Sequence, residues 1–161
     1  MAMGIRQSET VAPGKDVPHV LITTIPSDSH TWNLMYMRLL VAEHGAAVDC
    51  LGCCVPYTHT ADEVVAQKPD LVIVSTVNGH GSQQGGELMH IARARLGSST
   101  PPFVIGGQIA VETARYRLAA EALIRAGYER VFYGESAIPA FNRFMRNFVA
   151  SHANKPRVLT G

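Results

Sequence analysis

A chain of 161 residues, 47% of them apolar, is long enough for one well-filled core and too short for two comfortable domains. A net charge of +1, with no run of Lys or Arg, excludes the electrostatic footprint of a protein that binds nucleic acid or an anionic membrane surface. No stretch approaches the roughly 18 apolar residues of a membrane span, and residues 1–16 lack the apolar core of a signal peptide, so we expect a cytoplasmic protein.

Apolar runs alternate with helical patterns along the chain. The predicted strands cover residues 17–25, 46–51, 71–75, 103–105 and 130–132. The predicted helices cover residues 31–45, 60–68, 85–97, 113–127 and 137–152, and Thr60 is the expected N-cap of the second. The last helix is predicted to bury one apolar face, made of Ile138, Phe141, Phe144, Met145 and Phe148.

Five strands that alternate with five helices predict a parallel sheet with helices on both faces. We expect one flavodoxin-like, doubly wound α/β domain over residues 17–152, with polar tails at residues 1–16 and 153–161. In this strand order the carboxyl ends of the first, third and fourth strands line one crevice. Open α/β sheets bind their ligands at such a crevice.

The loops at these three strand ends have unusual sequences. Asp28 stands two residues before His30, directly after the first strand, so a carboxylate and an imidazole share the expected ligand crevice. The alternative is that Ser27 or Asp28 caps the next helix and His30 is solvated. His80, after the third strand, either touches a ligand or is a solvated loop residue. The later loops also contain glycines that let a large ligand approach the backbone; they are Gly79, Gly81, Gly106 and Gly107.

Three cysteines lie within five positions, at Cys50, Cys53 and Cys54. An odd number at such close spacing argues against the disulfide framework of a secreted protein. Together with His59 the spacing is compatible with the thiolate ligands of a metal ion. The alternative is that the free cysteines act as small apolar residues.

Taken together, the strand-end motifs resemble the cobalamin-binding domain family, and in particular the small subunits of glutamate (methylaspartate) mutases. The family pattern is Asp-x-His-x-x-Gly, then Ser-x-Leu, then Gly-Gly. This chain has Asp28-Ser29-His30-Thr31-Trp32-Asn33, then Ser75-Thr76-Val77, then Gly106-Gly107. Ser27, the "NGHG" segment after the third strand and the later "AGYERVF" segment are also similar to the small subunit. The chain departs from the pattern at Asn33, which replaces Gly, and at Val77, which replaces Leu.

The resemblance implies base-off cobalamin, in which His30 replaces the dimethylbenzimidazole as the lower axial ligand of cobalt and Asp28 receives its other ring N–H. It also implies that the detached nucleotide tail inserts between sheet and helix, near the Ser75 hydroxyl and the bare Gly106-Gly107 backbone. The cofactor-contacting positions implied in this way are Ser27, Asp28, His30, Asn33, Ser75, Val77, Gly79, Gly81, Gly106 and Gly107.

Asn33 is the departure with the larger consequence, because its amide stands where the tail has to pass. The amide either obstructs the tail or forms a hydrogen bond with it. Asn tolerates a left-handed backbone better than other non-glycine residues, so the turn itself can survive the exchange.

The resemblance further implies the small subunit of an adenosylcobalamin-dependent carbon-skeleton mutase that acts on glutamate or a related amino acid. The cofactor supplies the difficult chemistry and this domain positions it. Substrate binding is then the task of a separate large barrel subunit, without which this chain is inactive. The residues leave two alternatives open: a cobalamin carrier or sensor module, and a domain of this fold that no longer binds cobalamin.

Overall fold

The computed structural model describes residues 17–154, and a sheet of five parallel strands lies at their centre. In chain order the strands are β1 (His19–Thr23), β2 (Ala47–Cys50), β3 (Leu71–Thr76), β4 (Phe103–Gly107) and β5 (Arg130–Phe132). Their order across the sheet is β2-β1-β3-β4-β5, which confirms the predicted flavodoxin-like arrangement. Residues 1–16 and 155–161, which make up most of the two predicted tails, lie outside the described residues.

Within these residues, five α-helices pack on the two faces of the sheet: α1 (Thr31–Glu43), α2 (Tyr57–Gln67), α3 (Gly81–Leu96), α4 (Tyr116–Ala126) and α5 (Ala137–Ala153). Helices α1 and α5 cover one face, and α2, α3 and α4 cover the other. Leu71 and Ile73 of β3 therefore face α1 and α5, whereas Val72 and Val74 face the opposite core. Because both faces are buried, the central strands are continuous apolar runs.

Two helices begin earlier than predicted. Helix α2 begins at Tyr57, so the prediction that Thr60 caps it is wrong. Thr60 is fully buried and its hydroxyl lies 2.9 Å from the hydroxyl of Thr23 on β1, because this side of α2 packs against the sheet. Helix α3 begins at Gly81 rather than Gly85. Gly85 lies inside the helix, where a Cβ would come within 2.6 Å of Ile105 Cδ1.

The apolar face of α5 is buried in its middle and open at its start. Phe141 and Met145 are buried, as predicted, and Phe144 and Phe148 pack against the same core while partly buried. Ile138 is 39% exposed, so the prediction that it is buried is wrong. It lies in the first turn of α5, where it borders a cleft between this helix and α1.

The chain changes faces between β1 and β3, because β1 leads into α1 and β3 leads into α3 on the opposite face. A crevice therefore opens between the carboxyl ends of these adjacent strands. The β3–β4 register places Ser75 beside Gly106 and Thr76 beside Gly107. Gly107 has φ +105°, and a Cβ there would collide with the main-chain oxygen of Thr76. Glycine thus lets the two strands end close together.

None of the helices within residues 17–154 has the length and apolar character needed to span a membrane.

Candidate functional site

The loop between β1 and α1 holds Asp28 and His30 together. The N–H of Asp28 donates a 3.0 Å hydrogen bond to the carbonyl of Ile25, which closes a turn directly after the strand. The Asp28 carboxyl is only 2% exposed, and its Oδ1 accepts hydrogen bonds from the N–H of His30 at 3.1 Å and from Nδ1 of the same residue at 2.7 Å. The His30 side chain is 57% exposed. The loop therefore buries the carboxylate and presents the imidazole.

The second oxygen of Asp28 is anchored by the end of β3. Its Oδ2 accepts hydrogen bonds from the Thr76 hydroxyl at 2.9 Å and from the Val77 N–H at 2.7 Å. Burial acts to raise the pKa of Asp28, but the hydrogen bonds from Val77, His30 and Thr76 outweigh it and hold the pKa below its usual range. Asp28 is therefore an ionised acceptor at neutral pH.

An ionised Asp28 determines which ring nitrogen of His30 carries the proton in neutral imidazole. A carboxylate can only accept, so Nδ1–H of His30 donates to Asp28. Nε2 is then the nitrogen with the free lone pair, on a half-exposed ring. This is the arrangement in which histidine binds a metal ion through Nε2 while a carboxylate orients the ring.

A second set of hydrogen bonds ties the β1–α1 loop to the β3–α3 loop. The Asn78 amide donates to the Ser27 hydroxyl at 2.8 Å, and Asn78 Oδ1 accepts from the N–H of His80 at 3.0 Å. The N–H of Ser27 donates to Gln84 Oε1 at 3.2 Å. Of these residues only Ser27 is among the predicted cofactor-contacting positions, and His80 is a predicted ligand contact or solvated loop residue. Thr76, Asn78 and Gln84 were missed, although Thr76 and Asn78 lie within the "STVNGHG" segment that follows β3.

A cleft between α1, α5 and the sheet, here called the α1–α5 cleft, brings together four of the predicted positions: Asn33, Ser75, Gly106 and Gly107. Its volume is about 90 Å³. The Asn33 amide donates a 2.6 Å hydrogen bond to the Ser75 hydroxyl. The remaining walls are apolar, and the sequence did not indicate that their residues share one cleft: Tyr36, Met37, Ile73, Val74, Val104, Ile105, Phe132, Ala137, Ile138 and Phe141.

Gly79 and Gly81 lie outside this cleft. Gly79 and His80 border a separate open groove of about 600 Å³ between the start of α3 and residues 109–119. Gly81 packs against Thr76, and a Cβ there would come within 2.6 Å of the Thr76 methyl group. A Cβ at Gly79 would likewise come within 2.9 Å of the Val111 side chain, so both glycines have close contacts inside the protein, and the structure places neither beside Asn33 or Ser75.

The cysteines do not form a metal centre with their neighbours. Cys50 is half-buried in β2, and Cys53 and Cys54 are exposed on the following loop. Within residues 17–154, no group of three or more His, Cys, Asp or Glu side chains is placed to hold a metal ion. The N–H of Cys54 donates a 2.8 Å hydrogen bond to the carbonyl of Asp28, so this loop supports the β1–α1 loop through its backbone.

Comparison with solved structures shows where this fold occurs. A novel cobalamin-binding protein from Desulfitobacterium hafniense matches with a TM-score of 0.62 and 19% identity, over 80% of this chain and 59% of that one. The monomethylamine corrinoid protein of Methanosarcina barkeri matches with a TM-score of 0.57 and 12% identity, over 84% and 54%. This chain thus spans less than two thirds of each. A signal receiver domain of a histidine kinase from Syntrophus aciditrophicus also matches, with a TM-score of 0.60 and 10% identity, over 90% and 98%. Structural likeness at these identities establishes the fold alone.

Sequence comparison is more specific. The glutamate mutase sigma subunit of Halobacterium salinarum is 28% identical over 124 residues, which are 76% of this chain and 81% of that protein. The model of the B12 binding domain matches residues 18–142, which include the Asp28–His30 loop, Ser75 and Gly106-Gly107. The predicted resemblance is therefore confirmed: this chain belongs to the B12 binding domain family.

Proposed function

We propose that this chain binds cobalamin in the base-off form, with Nε2 of His30 as the lower axial ligand of cobalt. The observation that carries the proposal is the Asp28–His30 pair. A buried, ionised carboxylate 2.7 Å from Nδ1 fixes a half-exposed imidazole at the carboxyl edge of the sheet. Such a partner orients the ring of a metal-bound histidine and raises its basicity.

The α1–α5 cleft supports the same proposal for the nucleotide tail. Its walls are apolar, which suits a flat heterocyclic base, and Asn33 and Ser75 add polar groups for the sugar and phosphate. Gly106 and Gly107 present main chain rather than side chains at the end of β4. The residues of the edge and the cleft thus fit the two chemically different halves of cobalamin.

We further propose that the chain is the small subunit of an adenosylcobalamin-dependent mutase of the glutamate-to-methylaspartate type. The 28% identity to a glutamate mutase sigma subunit supports this assignment. Adenosylcobalamin, when bound, supplies a cobalt–carbon bond that breaks homolytically. The residues of this chain would bind and orient it: His30 would hold the metal, Asp28, itself anchored by Thr76, would fix the ring of His30, and the cleft would exclude water from the tail.

A large barrel subunit is the partner that the proposal requires. A radical rearrangement needs a closed cavity that holds substrate over the upper face of the cofactor and prevents side reactions. The carboxyl edge offers only half of an enclosure, because His30, His80 and Gln108 on its three loops are exposed. We assign the other half, together with the substrate site, to the large subunit, so this chain alone should not turn over glutamate.

Electron paramagnetic resonance of the cob(II)alamin-loaded chain tests the proposal. We expect a nitrogen splitting that changes when histidine is labelled with nitrogen-15, and that disappears in His30→Ala. His80→Ala is the matched control, because it removes an exposed imidazole from the neighbouring loop and should leave the spectrum unchanged. Loss of all cobalamin absorbance on desalting, or a spectrum that His30→Ala does not alter, would refute the assignment of His30.

A further inference from the structure

One hydrogen bond joins α1 to β3 in the wall of the α1–α5 cleft. Asn33 lies in the first turn of α1 and Ser75 lies near the end of β3, and the amide Nδ2 of Asn33 donates to the Ser75 hydroxyl at 2.6 Å. Ser75 is only 6% exposed, and Asn33 is half-buried. The bond therefore links helix to sheet beside the cleft and is partly shielded from water.

This pair is polar in an otherwise apolar setting. The side chains that line the cleft beneath it include Ile73, Val104 and Phe141, and packing of α1 against the sheet is already provided by Leu34, Met37 and Val41. The core thus anchors α1 along its buried side. The Asn33–Ser75 bond is a further, polar attachment of the first turn of α1 to the end of β3.

The cleft is too small to hold a nucleotide tail as it stands, which suggests a role for the Asn33–Ser75 bond. At about 90 Å³ the cleft is far smaller than the roughly 300–1,000 Å³ of sites that enclose drug-sized ligands, and a benzimidazole nucleotide belongs to that size class. A tail can enter only if the cleft widens. Widening it between α1 and the sheet separates Asn33 from Ser75 and breaks their hydrogen bond.

We infer that Asn33 and Ser75 form a latch that keeps the α1–α5 cleft closed in the cofactor-free chain and that opens when the nucleotide tail enters. This inference rests on the proposed binding of base-off cobalamin. The latch lowers the fraction of molecules open to the tail, and apparent affinity falls with the fraction of the competent state. It also makes Asn33 a determinant of specificity, because a corrinoid without a tail does not need to open it.

Stopped-flow binding of two corrinoids tests the latch: cobalamin, and cobinamide, which lacks the nucleotide tail. Asn33→Ala removes the donor and Ser75→Ala removes the acceptor, and each variant should bind cobalamin about 2- to 10-fold faster, the range expected for one net hydrogen bond. The double variant should be no faster than either single variant, since both break the same bond. Cobinamide should bind at the wild-type rate throughout. Ser151→Ala is the control, because it deletes a hydroxyl of α5 that bonds only locally to the carbonyl of Phe148.

The outcomes separate the latch from the proposed function. If cobalamin binds through His30 but Ser75→Ala leaves its rate unchanged, the latch is wrong and the proposed function stands. The same holds if cobinamide is accelerated as much as cobalamin. If wild type retains neither corrinoid and the Asn33→Ala and Ser75→Ala variants do not either, the proposed function fails and the latch fails with it. If only the variants retain cobalamin, the latch is supported, because the intact Asn33–Ser75 bond then keeps the tail out altogether. Circular dichroism identifies a variant that fails to fold, and Asn33→Gly then replaces Asn33→Ala.

Discussion

Replacing Asp28 with asparagine is the sharpest test of the site, because the carboxylate accepts hydrogen bonds on both sides. Oδ1 accepts from the N–H and Nδ1 of His30, and Oδ2 accepts from the hydroxyl of Thr76 and the N–H of Val77. An amide has one acceptor and one donor end. Whichever way the introduced amide is turned, its NH2 group faces a main-chain N–H.

The two orientations of that amide have different costs. With its oxygen towards His30, the partly buried N–H of Val77 loses its acceptor, which costs up to about 1–3 kcal/mol, the penalty for a fully buried donor. With its NH2 towards His30, Nδ1 must accept, so the ring proton moves to Nε2 and the lone pair is no longer free for cobalt. In the first orientation the neutral amide no longer raises the basicity of the ring as a carboxylate does, and in the second Nε2 has no free lone pair. Cobalamin binding should therefore weaken by roughly 10- to 100-fold, as is typical for loss of the partner of a metal-bound histidine.

Titration with cobalamin, followed by absorbance, measures this loss. Asp49→Asn is the matched control, since Asp49 also pairs with a histidine, His19, at 2.8 Å, but on β1 and β2 at a distance from the β1–α1 loop. The control should bind cobalamin like wild type. Equal affinity and an unchanged nitrogen splitting in Asp28→Asn would show that the carboxylate does not orient the ligand, and would refute the reasoning.

Other predictions follow from the same contacts. Trp32 is the single tryptophan of the chain and is 81% exposed two residues after His30, so cobalamin uptake should quench its fluorescence, and emission unchanged at saturating cobalamin would contradict binding at this edge. Gly107→Ala should lower the free energy of urea unfolding by more than about 1 kcal/mol, because of its φ of +105° and the collision with Thr76, whereas Gly86→Ala, where a Cβ meets nothing within 4 Å, should be neutral or stabilising. Because the pKa of Asp28 is lowered by folding, its contribution to stability is complete above the unfolded pKa and is lost as the pH falls through the folded one. Unfolding free energy should therefore decline below about pH 4, and less steeply in Asp28→Asn. Methylaspartate formation from glutamate should need the large subunit as well as adenosylcobalamin, and turnover by this chain alone would overturn the subunit assignment.

The architecture was predictable because each element has a local signature. Apolar runs that alternate with helical periodicity are enough to identify a sheet covered on both faces. The flavodoxin-like strand order is one of two common orders in such sheets, and the structure confirms it. Thr60 was misassigned for an equally local reason. A threonine before an apolar pattern is a common N-cap. Only the contact of Thr60 with Thr23 on β1 shows that Thr60 lies within α2, on the side that faces the sheet.

The site was predictable only in part, since its geometry depends on contacts between distant residues. Asp28 and His30 are neighbours in sequence, and a short loop necessarily brings them together. Their anchor, Thr76, lies 48 residues further along the chain, and Ser75 lies 42 residues from Asn33. No periodicity encodes such pairings. The register of β3 beside β1 creates them, so they become visible only when the sheet has been assembled.

The anchoring of Asp28 from β3 has a consequence for transplanting this site. A designer who moves the β1–α1 loop alone into another flavodoxin-like scaffold transfers the imidazole and its carboxylate, but leaves behind the two donors that hold Oδ2 in place. The transplanted carboxylate would then rotate freely, and the imidazole would no longer be held in one orientation. A hydroxyl and a free N–H at the end of the adjacent strand belong to the smallest portable unit, because a ligand is only as rigid as the residues that support it.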